Sequence, residues 1–211
     1  MTATVDTHFW WWLSRSSGVV AWLVLATALV WGLLASTRLI RRRGMPAWIL
    51  DLHRYLGTLT VVFVAIHVGA IWADSFVSFG ARQLFVPFAS TWRPRAVAWG
   101  IVSTYLLIAI QTTSWAMRRL PRRVWHRIHL LSIPMIATAT VHGFLAGTDR
   151  GNDVVQWGAF VVLVVVVFLL AVRVISPSRS ARSTGATDIR TGRTATARSR
   201  ASAPRDRVRE A

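Results

Sequence analysis

The sequence predicts an all-α integral membrane protein, a bundle of five transmembrane helices followed by a basic C-terminal tail. Two observations lead to this prediction. Hydrophobic residues make up 54% of the chain and are concentrated in five blocks that are too long for a soluble core. The charged residues lie mainly between those blocks and after the last of them, where water or lipid headgroups can solvate them.

The five apolar blocks each approach or exceed the ~20 residues that a helix needs to cross ~30 Å of hydrocarbon. They cover residues 18–37, 49–73, 96–117, 124–147 and 154–175. We therefore expect one membrane domain over 18–176. Residues 1–17 contain a cluster of tryptophans, which favour the headgroup layer, so we expect them to form an interfacial segment on the outer surface.

Two further regions differ from the apolar blocks in composition. Residues 177–211 consist mostly of Ser, Thr, Ala and Arg, so we expect a disordered cytoplasmic tail that anionic lipids attract. The longest loop, 74–95, mixes phenylalanines with polar residues. Two interpretations of it stay open: a sixth, interfacial or re-entrant segment that caps the outer end of the bundle, or a surface loop anchored by its phenylalanines.

The positive charge of the chain reports its membrane topology. The net charge is +17, and all 25 basic residues are arginines. They cluster after the first block, between the third and fourth blocks, and after the fifth block. The positive-inside rule then predicts a multi-pass cell-membrane protein with its N-terminus outside and its C-terminus in the cytoplasm. We expect contact with membrane lipids and no nucleic-acid partner.

Four histidines lie within apolar helical segments as two pairs. His53 and His67 are 14 residues apart in the second block, and His129 and His142 are 13 residues apart in the fourth. Both separations correspond to ~20 Å along a helix axis. Since both blocks run from inside to outside, His53 lies level with His129, and His67 with His142. An ionisable residue in hydrocarbon indicates function.

Two level pairs of imidazoles are the arrangement that two six-coordinate haems require, so we predict these four histidines to be axial ligands of haem iron. The other two histidines, His8 and His126, are expected at the surface, although His126 is an alternative ligand in place of His129. On an ideal helix, the 13 residues between His129 and His142 would place the two side chains ~140° apart around the axis, so they would not point to the same side. Pro134 lies between the two histidines, and a kink there would bring both side chains to the same side.

Glycines on the two histidine helices are expected to leave room for a flat macrocycle, although glycine is also a common packing residue in membranes. They are Gly57, Gly69, Gly143 and Gly147. With no cysteine in the chain, thiolate ligands and iron–sulfur clusters are excluded.

The segments around the histidines resemble the ferric reductase-like transmembrane domain, a superfamily of ferric reductases, NADPH oxidases and the haem subunit of periplasmic methionine sulfoxide reductase systems. The resemblance rests on Asp-Leu-His-Arg-Tyr-Leu-Gly at 51–57, Ile-His at 66–67, Trp-His-Arg-Ile-His-Leu-Leu-Ser at 125–132 and Val-His-Gly at 141–143. It implies that two b-type haems are ligated by His53 with His129 and by His67 with His142.

The sequence departs from larger members of that superfamily, because it shows five spans where six are common and no glycine-rich nucleotide loop. Electrons are then expected from a separate flavoprotein reductase or from membrane quinol, with a flavin or quinone at the cytoplasmic side supplied by or shared with that partner. The outer acceptor is expected to be an oxidoreductase, ferric iron or oxygen. The chain itself would be the electron-transfer component of an oxidoreductase.

Two other classes of function stay open. The first is a proton-coupled or metal-ion transporter that uses the intramembrane histidines. The second is a structural or assembly protein in which the histidines only form hydrogen bonds between helices. Proton paths usually add intramembrane carboxylates, and here the only acidic residue near a block's interior is Asp51, at its edge.

Overall fold

The structure is a computed structural model that describes residues 7–36, 47–74, 79–147 and 153–175. This part of the chain contains helices and no strand. The helices are α1 (Thr7–Ser36), α2 (Ala47–Ala73), α3 (Ala81–Phe85), α4 (Pro94–Trp115), α5 (Arg122–His129), α6 (Ser132–Ala146) and α7 (Asp153–Ile175). The described residues up to Arg173 form one compact unit. The tail expected at 177–211 lies outside the described residues.

Five spans in the described residues are long and apolar enough to cross a membrane, which confirms the predicted fold class. They are His8–Ser36, Ala47–Ala73, Pro94–Trp115, Arg122–Ala146 and Gln156–Ile175. Helices α5 and α6 together form the fourth span. All but the first agree with the blocks read from the sequence to within a few residues.

The first span differs from its expected start, because α1 begins at Thr7 and continues without interruption to Ser36. Residues 7–17, expected to form a separate outer segment, thus belong to the same 30-residue helix. No proline or glycine occurs between positions 7 and 17. The hydroxyls of Ser14 and Ser16 donate to the carbonyls of Trp11 and Trp12 at 2.9 and 2.8 Å, which keeps these polar side chains satisfied within a helix.

The helices pack in two closely associated pairs, α1 with α2 and α4 with α6. A cluster of buried apolar side chains from α1, α4, α6 and α7 forms the hydrophobic core. Its members include Leu29, Leu33, Leu107, Ile136 and Leu169. The opposite face of α7 leaves valines, phenylalanines and Leu163 exposed, as a lipid-facing helix does.

The fourth span is broken between α5 and α6, at Leu130 and Leu131. The amides of Leu131 and Ile133 donate to carbonyls three residues earlier, at 3.0 and 3.2 Å, instead of four. Pro134 explains the break, because it has no amide hydrogen and its ring clashes with the carbonyl four residues before it, that of Leu130. The fourth span is therefore interrupted between His129 and His142, where a kink was expected.

The loop before α4 contains the short helix α3 and is attached to the bundle at two points. The Tyr105 hydroxyl donates to the carbonyl of Phe85, and Tyr105 lies eleven residues into α4, ~16 Å from its start. Arg93 donates from Nη1 to the carbonyls of Leu145 and Ala146 at 2.9 and 3.3 Å. The segment therefore lies alongside α4, which favours the re-entrant interpretation, while residues 75–78 lie outside the described ranges.

Candidate cofactor site

The structure brings the four intramembrane histidines together in the two pairs expected from their depth. The ring centroids of His53 and His129 lie 5.9 Å apart, with the ring planes at 74°. Those of His67 and His142 lie 6.2 Å apart, at 79°. Each pair joins α2 to the fourth span. The two closely packed helix pairs of the bundle thus face each other across these imidazoles.

The ring separations fit two imidazoles that share one metal ion. Metal–imidazole bonds are ~2 Å long and the nitrogen lies ~1.1 Å from the ring centre, so two imidazoles on opposite sides of a metal have centroids ~6 Å apart. Both observed separations agree with this value. The donor set therefore suits a metal with two axial imidazoles, as in a six-coordinate haem.

Three of the four histidines are oriented by a backbone carbonyl. The Nδ1 atoms of His53, His67 and His142 lie 3.0, 2.6 and 2.8 Å from the carbonyl oxygens of Ala28, Ser14 and Ala96, in that order. A carbonyl only accepts a hydrogen bond, so Nδ1 carries the proton and donates it. The lone pair of each ring is then on Nε2, the form in which a neutral imidazole ligates a metal.

The fourth histidine, His129, has a different environment. Its ring stacks on that of Trp125, with the centroids 5.0 Å apart and an interplanar angle of 24°. Its buried Nδ1 has no hydrogen-bond partner among the described residues, and neither does Nε1 of Trp125. Stacking, and not a hydrogen bond, therefore restrains this ring.

Three glycines that the sequence reasoning did not single out lie directly against these histidines. A Cβ atom at Gly18 would lie 2.9 Å from Nδ1 of His67, and one at Gly32 would lie 3.0 Å from Cε1 of His53. At Gly100 it would lie 2.7 Å from two ring atoms of His142. Gly18 and Gly32 are 14 residues apart, the same interval as the two histidines that they contact, and this match was visible in the sequence.

The glycines that were expected to make room for a macrocycle have varied surroundings. A Cβ at Gly57 would lie 2.9 Å from Oε1 of Gln111, so this glycine permits close packing between α2 and α4. A Cβ at Gly69 or at Gly143 would meet nothing within 4 Å, so these two glycines are not required by close packing. Gly147 follows the end of α6.

The remaining two histidines do not join either pair. His126 is exposed on α5 and lies beside Trp125, and His8 is exposed near the start of α1. The ring that faces His53 is that of His129. Within the described ranges, moreover, no group of three or more His, Cys, Asp or Glu side chains is placed to hold a bare metal ion.

The comparisons with known proteins give one match. Residues 17–140, more than half of the chain, match the model of the family described as ferric reductase like transmembrane component. The match includes His53, His67 and His129 and ends two residues before His142. No curated protein and no solved structure matches the chain. The chain thus belongs to the family of ferric reductase-like transmembrane components.

Proposed function

We propose that the protein transfers electrons across the cell membrane through two b-type haems, one held by His53 and His129 and the other by His67 and His142. The two histidine pairs, with ring separations of 5.9 and 6.2 Å, are the observation that carries this proposal. Members of the family bind haem, and the family suggests transmembrane electron transfer.

The histidine pairs would serve a transfer site better than a site that binds a substrate at the metal. Haem iron supplies a one-electron redox couple. His53 with His129, and His67 with His142, would each hold one haem from both sides and so keep a substrate or oxygen from binding at the iron. The carbonyls of Ala28, Ser14 and Ala96 hold three of the rings in a fixed orientation, and the bundle holds the site between facing helices.

The vertical separation of the pairs supports transfer across the membrane. His53 and His67 are 14 residues apart on α2, which places the pairs ~21 Å from one another along the helix axis. This separation covers most of the ~30 Å hydrocarbon layer. Arginines of the described chain cluster near the His53/His129 end, at Arg118, Arg119, Arg122, Arg123 and Arg127. The positive-inside rule therefore supports a cytoplasmic position for that pair, with the N-terminus outside.

The family suggests a redox partner in a reductase system. We propose that the donor is a separate flavoprotein reductase or membrane quinol on the cytoplasmic side, which would bring a flavin or quinone close to the His53/His129 pair. An oxidoreductase, ferric iron or oxygen would accept electrons outside, near the His67/His142 pair. In this role the protein is the haem subunit of an oxidoreductase.

A reduced-minus-oxidised visible spectrum of the purified protein in detergent tests this proposal. After expression with ample haem, we expect a b-type spectrum that dithionite induces, and two haems per chain by pyridine haemochrome assay. A protein that carries no haem under these conditions would contradict the proposal. Tight binding of a bare divalent ion by that haem-free protein would instead support the transporter alternative.

A further inference from the structure

The three carbonyls that accept a hydrogen bond from histidine have the same relation to the three glycines that contact those rings. In each case the acceptor is the residue four positions before the glycine on the same helix. We call each such pair a carbonyl–glycine seat. The three seats are Ser14/Gly18 for His67, Ala28/Gly32 for His53 and Ala96/Gly100 for His142.

Helix geometry explains why a glycine occupies that position. The carbonyl of residue i already accepts the amide of residue i+4, and the side chain of residue i+4 projects back over the turn that contains this carbonyl. A glycine at i+4 removes that cover, so an imidazole from a neighbouring helix can reach the second lone pair of the carbonyl. A Cβ would lie 2.7–3.0 Å from the ring atoms, closer than ordinary van der Waals contact.

The fourth histidine has no seat. A seat for His129 would be expected on α4 at the interval that separates the paired histidines, 13 or 14 residues from Gly100, the glycine that contacts His142. These positions hold Thr113 and Ser114, which are both larger than glycine. Their hydroxyls donate to the carbonyls four residues earlier, those of Ala109 and Ile110, at 2.6 and 2.7 Å. These side chains cover the carbonyls that a seat would expose. His129 accordingly has an Nδ1 without a partner among the described residues.

We propose that the carbonyl–glycine seats position three of the four axial histidines, and that the missing seat makes the His53/His129 site the more weakly held of the two. Gly18, Gly32 and Gly100 are positioning residues in this proposal, which rests on the proposed di-haem function. The His67/His142 site has a seat on both sides, whereas the His53/His129 site has a seat only for His53.

Alanine substitutions of the seat glycines test the proposal with a site-specific outcome. Loss of a hydrogen-bond partner behind a metal-binding histidine typically lowers affinity 10–100-fold. We expect Gly100→Ala and Gly18→Ala to weaken the haem at His67/His142, and Gly32→Ala to weaken the haem at His53/His129. The effect should be largest for Gly100→Ala and smallest for Gly32→Ala, in the order of the 2.7, 2.9 and 3.0 Å contacts.

Each substitution is measured where only one haem remains. Gly18→Ala and Gly100→Ala are combined with His53→Ala, so that only the haem at His67/His142 remains. Gly32→Ala is combined with His67→Ala, so that only the haem at His53/His129 remains. The readout is the rate of haem transfer to excess apomyoglobin. Gly158→Ala in α7, where a Cβ meets nothing within 4 Å, is the matched control and should leave the rate unchanged in both backgrounds.

A spectroscopic readout distinguishes positioning from general loss of structure. An Nδ1–H hydrogen bond makes the imidazole a stronger donor to iron, so its loss should move the midpoint potential of the affected haem to more positive values. The low-spin ferric electron paramagnetic resonance spectrum should shift with it. The proposal would be overturned if the glycine variants had the same haem release rates, midpoint potentials and spectra as the single-haem proteins from which they were made.

The relative strength of the two sites is measured without altering any glycine. The protein that keeps only the haem at His53/His129 should release it to apomyoglobin at least several-fold faster than the protein that keeps only the haem at His67/His142. Equal rates, or the opposite order, would overturn the proposed asymmetry. A wild-type protein without haem would instead contradict the proposed function itself, so the two failures are distinguishable.

Discussion

Replacement of His129 by alanine tests which imidazole of the fourth span is the axial ligand opposite His53. The two rings lie 5.9 Å apart in the structure. His126 is the alternative, but it precedes His129 by three residues, which displaces it ~4.5 Å along the helix and ~60° around it. It is also exposed and belongs to neither pair. His126 therefore cannot replace His129 unless α5 unwinds.

The expected magnitude follows from the distance between the sites. The His67/His142 pair lies ~20 Å away along the helices, so it should keep its haem when His129 is lost. We expect His129→Ala to lower the haem content from two per chain to one and to halve the Soret absorbance. His126→Ala, the matched control on the same helix, should keep two. A His129→Ala protein that retains two haems would refute the assignment and point to His126.

Three further predictions concern the kink, the packing of the helices and the topology. Pro134→Ala restores an amide hydrogen to the broken fourth span and therefore favours a continuous helix, which would turn His142 away from His67. The haem bound at the His67/His142 pair should then decrease, while circular dichroism shows no loss of helix. Trp22 donates to Thr140 at 2.9 Å between α1 and α6, a type of bond worth about 0.6 kcal/mol in membrane proteins; Trp22→Phe and Thr140→Val should each lower thermal stability slightly, and a double-mutant cycle should show that the losses are not additive. Since the chain has no cysteine, Gly80→Cys should react with a membrane-impermeant maleimide from outside, whereas Leu120→Cys should react only after permeabilisation, and the opposite result would reverse the topology.

The fold class was predictable because membrane spans leave a strong record in the sequence. Long apolar blocks predicted the five spans, and the structure places the last four within a few residues of their expected bounds. The start of α1 was missed because a tryptophan cluster suits both an interfacial segment and the end of a long helix. Helix α3 has only five residues, too few for a periodic pattern to predict it.

The candidate site was predictable to the level of the histidine pairs. Nearly equal spacings of 14 and 13 residues, on two helices that run in the same direction, were enough to match His53 with His129 and His67 with His142. The assignment of these side chains as haem ligands stays a prediction.

The seats were not predictable with the same reasoning, because their residues lie on other helices. Gly18 and Gly32 share the 14-residue interval of the α2 histidines, but their significance depends on which face of α1 packs against α2. Gly100 has no such repeat, since Thr113 and Ser114 occupy the corresponding positions. Only the packed bundle shows which backbone carbonyls face an imidazole.

Electron transfer across a sealed bilayer tests the central claim most directly. Proteoliposomes would hold ferricyanide inside and dithionite outside, and the loss of ferricyanide absorbance would report electrons that have crossed the membrane. We expect rapid reduction with the wild-type protein and with Gly158→Ala, and at least a tenfold slower rate with either His53→Ala or His67→Ala. Rates with the wild-type protein no higher than those of protein-free vesicles, or histidine variants as fast as the wild type, would contradict the account.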